Sequence, residues 1–424
     1  MPVPIALCIS EIVEIILQGL DNGSLVNVAR CCRTLSDAAL DFLWDSVDVG
    51  AFTFSMPLDF QYVSRMQYWR SEDASPCSKI RLLSKIKNIP EDEWRRFDYY
   101  ASRVRSLDMG TCCAVQLFYY MAALRPGIHI FPALHTLKIR AESGPVPTRQ
   151  FPPTLRHLTV VVNGVTYRNW WEYSLYNAVA QSPHLKSLSI ECINQAMIPL
   201  PMRPTAEELD PLDFPRLQSL DLTGATQRFP NSPFLTALSH LPISTLRLPS
   251  LDHVPLHPRF ANLQYLSICS WPLQIGRFLS ALDTSVSLRV LAIDNRCDPD
   301  KWPYFRSNIP NLADYSRCFN YIARRFGHSL RRFAIILDGY FETDQEFEEG
   351  RALVRLVSPL YKLARLEVLV LALQCRTDLC KEAEDILSPQ AWPTLERFEF
   401  HPLIRHARGD DIREEVWMNL IDGG

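Results

Sequence analysis

Apolar and polar positions along this chain recur in one six-residue phrase, apolar-x-x-apolar-x-apolar. It reads VRSLDM from Val104, LHTLKI from Leu134, LRHLTV from Leu155 and LKSLSI from Leu185. It continues as LQSLDL from Leu217, ISTLRL from Ile243, LQYLSI from Leu263 and LRVLAI from Leu288. The last copies are LRRFAI from Leu330, LEVLVL from Leu366 and LERFEF from Leu395. Successive copies start 20 to 42 residues apart, and eleven of them exceed what chance supplies even in a chain that is 47% apolar. Self-similarity at such a period marks a stacked array. The fourth and sixth positions of the phrase, two residues apart, face the same side of a strand. The first position anchors the turn that leads into it.

Helical spacing fills the intervals. Trp170–Gln181, Leu273–Asp283, Asp314–Phe326 and Asp378–Ser388 carry apolar residues three and four apart among polar ones. Strand and helix in alternation predict parallel strands joined by right-handed crossovers. With units this short the product is a curved solenoid, strands inside and helices outside. The expected fold class is therefore α/β.

The phrases and their spacing resemble leucine-rich repeats of the irregular intracellular kind, over residues 103–402. That family carries Asn or Cys three residues beyond the strand's last apolar position. Here only the copy at Leu155 does so, as Asn163. The resemblance therefore implies an uneven solenoid with loops of variable length.

Residues 1–48 follow another rule. Ile12, Ile15, Ile16 and Leu20 lie at helical spacing after Ser10, a candidate cap. Ser24 is the candidate cap of a second helix with Leu25, Val28, Ala29 and Cys32 on one face, and Asp37 opens a third with Leu40, Leu43 and Trp44. Three short helices bury too little surface to be robust alone, so they dock on the array or on a partner.

ISEIVEIILQGL, SLVNVARCCRTLSDAA and LDFLW together resemble an F-box, although Cys8-Ile9 stand where that family has Leu-Pro. The resemblance implies a Skp-family adaptor as partner and, through it, a cullin scaffold. The implied adaptor-binding positions are Ile9, Glu11, Ile12, Ile16, Leu17, Leu25, Val28, Cys32 and Trp44. Pro90–Met109 is similar to the segment that leads into the first repeat of fungal F-box proteins. It reads as a helix with acidic residues early and Trp94, Phe97 and Tyr100 or Ala101 as its buried stripe, capping the array within a linker over 49–102.

Composition narrows the function classes. A net charge of −3 gives no global electrostatic case for nucleic acid or an anionic membrane. The longest apolar run, Ala114–Leu124, is too short to span a bilayer. The N-terminus lacks a basic start and is interrupted by Glu11 and Glu14, against a secretory signal. Twelve cysteines without any C-x-x-C read as reduced, mostly buried thiols. A cytoplasmic or nuclear location is expected.

No phosphate loop, dinucleotide fingerprint, nucleophile elbow or zinc-protease motif occurs. His253 and His257 are separated by Pro255 and lack a companion ligand; His401 and His406 read as surface residues. The acidic stretch Asp294–Asp300 lacks the Gly and closing Glu of a calcium loop. Arg324, Arg325, Arg331 and Arg332 read as solvated charge opposed by the acidic run Glu342–Glu349. No enzyme activity, cofactor or metal is expected.

The strand residues that alternate with the buried ones form the inner face. Early copies place polar residues there; late copies place Val290, Ala292, Ala334, Ile336, Val368, Val370 and Ala372, rimmed by Asp294, Arg332, Arg397 and Glu399. An apolar centre with a charged rim is interface anatomy, so this band is the expected substrate-binding surface. The alternative is a cover supplied by Asp411–Leu420, an amphipathic stretch with Ile412, Val416 and Trp417, in a tail over 403–424. The expected function is that of a substrate-recognition subunit of a cullin-based (SCF-type) ubiquitin ligase, holding a protein substrate. The alternatives are a non-ligase scaffold whose F-box-like helices only cap the array, and an enzyme with its site inside the concavity.

Overall fold

The computed structural model describes residues 9–53, 55, 89–109, 118, 121–141, 151–162, 182–192, 216–223, 239–248, 260–296, 312–338, 356–373 and 392–402. The chain divides into two compact units, Met1–Ala196 and Met197–Gly424.

The first unit opens with α1 (Ser10–Gln18), α2 (Asn22–Cys31) and α3 (Arg33–Asp45). Their starts differ from the sequence expectation. Ser10 lies inside α1, and Ile9 takes the N-cap position without a side-chain bond. Asp21 caps α2, accepting the amide of Ser24 at 2.8 Å, because a short carboxylate just before the helix reaches that amide better than Ser24 can. This bond and the Ser24 hydroxyl hold the Asp21 carboxyl below its usual range. Cys32, not Asp37, precedes α3. The three helices close over a small core of Val13, Leu17, Leu25 and Ala39.

The chain then passes without a linker from α3 into β1 (Ser46–Asp48), followed by α4 (Val49–Thr53) and α5 (Glu91–Ala101). The phrases become β2 (Ser106–Met109), β3 (Thr136–Ala141), β4 (His157–Val162) and β5 (Ser187–Cys192). Neighbours pair parallel in chain order, with Leu107, Leu137, Leu158 and Leu188 in register. The array thus starts one strand before the first phrase, at three residues too short to show a period.

The second unit holds β6 (Ser219–Asp221), β7 (Thr245–Leu248), β8 (Tyr265–Ile268), β9 (Val290–Arg296), β10 (Arg332–Asp338), β11 (Val368–Leu373) and β12 (Arg397–Pro402). These also pair parallel in order, aligning the phrase's fourth positions from Leu220 to Phe398. Between them lie α6 (Pro272–Ala281), α7 (Leu312–Phe326) and a 3-10 turn at Ser358–Lys362. Helices therefore form where the periods around Leu273 and Asp314 predict them. Trp170–Gln181, Asp378–Ser388, Asn163 and Asp411–Leu420 lie outside the described residues.

All eleven phrases are strands beginning at their third position. The first position is buried in every copy except Leu395, which is half-buried. A second device locks the phrases together. The amide of the first residue donates to the carbonyl three residues earlier: Leu134 to Phe131, Leu155 to Pro152, Leu185 to Ser182 and Leu395 to Trp392. In each of these turns the second residue is proline (Pro132, Pro153, Pro183, Pro393), whose fixed φ suits that position. Thr154 and Thr394, next to the phrase, donate their hydroxyls to Leu134 and Leu366 carbonyls at 2.9 Å. Buried backbone groups of the turns are thereby paired without the Asn ladder.

Candidate functional site

Two surfaces named from the sequence can be placed. The first is the face of the helical module. A helix turns 100° per residue, so Val13 and Leu17 lie together on one side of α1 and meet Leu25 and Ala39. Ile9 at the N-cap and Ile12, Ile15 and Ile16 of the helix flank that side or turn away from it and remain exposed, Ile15 to 72% and Ile16 to 48%. Val26 of α2 is exposed as well. Five of the eight large apolar side chains found exposed among the described residues thus sit on two short consecutive helices. Isolated exposed apolar residues need no explanation, but a stripe of β-branched residues along one helix does. Glu11, also exposed, accepts the Ser10 hydroxyl beside the stripe.

Five of the implied adaptor positions lie off that exposed surface in the free chain. Leu17 and Leu25 are only 2% and 4% exposed, because the bundle needs them as its own core. Val28 is half-buried and packs against the same cluster. Cys32 is half-buried at the start of α3, and the Leu35 amide facing it lowers its thiol pKa. Trp44 is committed to the array, stacked on Tyr100 with centroids 4.5 Å apart and tilted on Phe52 at 5.2 Å.

The helices are fastened to the array at their other end. Arg103 donates to the Asp37 carboxylate at 2.6 Å, to the Asp37 carbonyl at 3.1 Å and to Asp41, and lies 4.6 Å from the Tyr99 ring centroid. Tyr99 donates its hydroxyl to Asp37 at 2.8 Å. These hydrogen bonds, from Tyr99 first and then Arg103, hold the Asp37 carboxyl below its ordinary value. Beneath, Phe52 meets Phe131 edge-on at 4.9 Å and Phe97 at 5.9 Å. Trp94, Phe97 and Ala101 form the buried stripe of α5, while Tyr100 is only half-buried. Arg125, nearly buried, holds Asp98 at 2.5 Å and Glu91 at 3.0 Å over the Trp94 ring. Charge-assisted pairs of this kind are the strong ones.

The second surface is the strand face. In the first unit it is polar and accessible: Thr136, Lys138, Thr159, Ser187 and Ser189 are half-buried, and Asp108 and His157 are exposed. Lys138 pairs with Glu191 at 2.8 Å. The late apolar band is different from the expectation. Val290, Ala292, Asp294, Ala334, Ile336, Val370 and Ala372 are all buried, and only Val368 is half-buried. Ala292, Ala334 and Val370, in register on neighbouring strands, form a small core of their own. The open substrate surface expected there is therefore a closed one. Val368 packs against this small cluster. Arg332 and Glu399 are half-buried at its edge; Arg397 is exposed and pairs with Glu399.

The basic cluster is also more structural than its sequence suggests. Arg325 donates to the carbonyls of Leu282 and Asp283 at 2.7 and 2.8 Å, closing the C-terminal end of α6. Arg331 pairs with Glu367 at 3.1 Å. Burial pushes the Cys318 thiol of α7 up to about 12, so it is inert packing. Among the described residues no group of His, Cys, Asp and Glu could hold a metal ion. No described helix is long and apolar enough to cross a membrane.

No family model matches the chain, and no curated protein does. Among solved structures it is similar to the leucine-rich-repeat-containing protein LegL7 from Legionella pneumophila, at 14% identity and a TM-score of 0.34. That alignment covers 70% of this chain and 96% of the other. A likeness at this level carries no argument about fold or function.

Proposed function

We propose that this protein is a non-catalytic receptor in a cullin-based (SCF-type) ubiquitin ligase, its helical module binding a Skp-family adaptor and its leucine-rich-repeat-like strand array holding a protein substrate. The observation that carries the reading is the set of Ile9, Ile12, Ile15 and Ile16, four large apolar side chains left exposed at the start and along α1 beside its small core. Burying such side chains contributes roughly 1.5–3 kcal/mol each, a favourable part of an interface that must also offset the cost of association. The module's opposite end is clamped to the array through Arg103 and Trp44. A partner on α1 would therefore be tied to whatever the array holds. Such tethering raises the effective concentration of substrate near a transfer centre carried by other subunits.

The adaptor surface is smaller than the sequence resemblance implies. It comprises Ile9, Glu11, Ile12 and Ile16, with Ile15 and Val26 added, and without Leu17, Leu25, Val28, Cys32 and Trp44 as direct contacts. Affinity purification of the full chain, with mass-spectrometric identification of a Skp-family adaptor and a cullin, tests the reading. Both should be recovered with the natural chain and lost with Ile12→Asp plus Ile16→Asp. A specific observation favours a second reading: α3 runs straight into β1, and Asp45 accepts the Arg105 amide at 3.0 Å. The helices then serve only as the cap of a scaffold. Under that reading neither adaptor nor cullin is recovered and the chain folds normally alone.

A further inference from the structure

The second position of each phrase forms a row of its own at the entrance to the strands. In the first unit this row reads Arg105, His135, Arg156, Lys186. The amide of each donates to the carbonyl of the member before it, at 2.8 Å from His135, 2.8 Å from Arg156 and 2.7 Å from Lys186. Consecutive members are thus separated by one strand spacing, about 4.8 Å, and the row spans about 14 Å. His157, the next residue after Arg156, adds a fifth basic group. Arg156, His157 and Lys186 are exposed, and Arg105 is largely so.

This row is unbalanced. Asp45 meets Arg105 at 3.5 Å at one end, and no described carboxylate pairs with Arg156 or Lys186. The neighbouring acids are accounted for or distant along the face: Glu191 is held by Lys138, and Asp108 lies further along β2. The same row in the second unit reads Gln218, Ser244, Gln264, Arg289, Arg331, Glu367, Glu396, with Arg331 and Glu367 paired. There the charges cancel; in the first unit they accumulate. Like charges on adjacent strands repel, so an uncompensated set is held at some cost to stability.

We propose that the basic row Arg105–His135–Arg156/His157–Lys186 is a docking surface for an extended acidic segment of a partner protein. Three carboxylates of an extended chain, spaced about 6.8 Å on one side, span about 14 Å and match the row. Charge complementarity selects an anion, and the hydroxyls of Thr136, Ser187 and Thr159 supply hydrogen bonds beside it. A nucleic acid fits less well. The row is short, the chain carries net charge −3, and no Phe, Tyr or Trp lies at 105–108, 135–138, 156–159 or 186–189 to stack a base.

The imidazoles add a pH dependence. Burial first, then Arg156 and Arg105, lower the pKa of His135, with Asp45 opposing. Burial first, then Lys186, Arg156 and His135, lower that of His157. Both are therefore neutral in the free protein near neutral pH, and a carboxylate arriving beside them favours the protonated form. Binding then takes up protons and tightens as pH falls. The inference stands whether or not the helical module carries an adaptor.

Fluorescence anisotropy of labelled octa-glutamate with the full chain, in 50 mM salt, tests it, with octa-glutamine and an eight-residue oligouridylate as comparators. Octa-glutamate should bind in preference to both. Arg156→Gln with Lys186→Gln should weaken it roughly five- to twentyfold, and binding should be tighter at pH 6 than at pH 8. His135→Gln with His157→Gln should remove the pH dependence while keeping the fold by circular dichroism. Equal binding of octa-glutamine, an unaffected Arg156/Lys186 variant, a pH dependence that survives in the histidine variant, or stronger binding of the oligouridylate would each overturn the proposal.

Discussion

Trp44 closes α3 by stacking on Tyr100 of α5, ring centroids 4.5 Å apart and planes 24° from parallel. A residue in the last turn of the helical module thereby joins it to the helix that leads into the strands. Position and chemistry agree: α3 leads into β1, β1 pairs with β2, and the aromatic contact closes the angle between helix and sheet. The module is an integral end of the first unit, with its exposed apolar side chains on α1 and at Val26 of α2.

Removing that contact should loosen the join. Trp44→Ala should destabilise the first unit by about 2–3 kcal/mol, less than a fully buried tryptophan because this one is half-exposed. Trp44→Phe should recover part of the loss. Urea unfolding followed by circular dichroism measures both.

The clamp at Arg103 predicts an acid limb. Asp37 has a folded pKa below its ordinary value of 3.8, so it binds a proton more weakly folded than unfolded. Its contribution is present above the unfolded value and is lost as pH falls through the folded one. Arg103→Gln should therefore flatten the stability profile below about pH 4, where the natural chain loses stability with falling pH. Thermal melts between pH 2 and pH 6 read the difference.

Within the module the two sides of α1 and α2 should respond oppositely. Ile15→Asp, on an exposed position, should change stability by less than about 0.5 kcal/mol. Leu25→Asp places a charge in the bundle core and should cost at least about 3 kcal/mol. Equal effects in thermal unfolding would contradict the assignment of core and surface.

How legible this was follows from period. A phrase with three fixed apolar positions, repeated eleven times, specifies strand positions and register to the residue, as Leu137, Leu158 and Leu188 show. The three-residue β1 offers no period and was invisible. The Phe-Pro-x-Leu and Trp-Pro-Thr-Leu turns were present as a second signal, three residues upstream of the first, and account for register without an Asn ladder. Helical spacing identified the stripe on α1, but it does not say which side faces inward. Leu17 and Leu25 went to the core because, with Val13, they lie on the helix sides that turn toward Ala39 of α3. The late band could not be resolved for a similar reason: alternation says that Ala334 and Val370 face away from the helices, not whether something lies over them.

That burial has its own consequence. Val370→Asp puts an unpaired carboxylate into a closed apolar cluster and should cost at least about 3 kcal/mol in the second unit. Val368→Asp, half-buried at the edge, should cost markedly less. Limited proteolysis and thermal melting of the two variants separate a closed band from an open one.

The account rests most heavily on the open side of α1. Isothermal titration of the purified full chain with a purified Skp-family adaptor addresses it directly, using the Ile12→Asp/Ile16→Asp variant as the comparison. The natural chain should bind with saturable heat and one-to-one stoichiometry, and the variant should melt like the natural chain yet show no binding. No heat from the natural chain, or undiminished binding by a folded variant, would contradict the claim that this stripe is made for an adaptor.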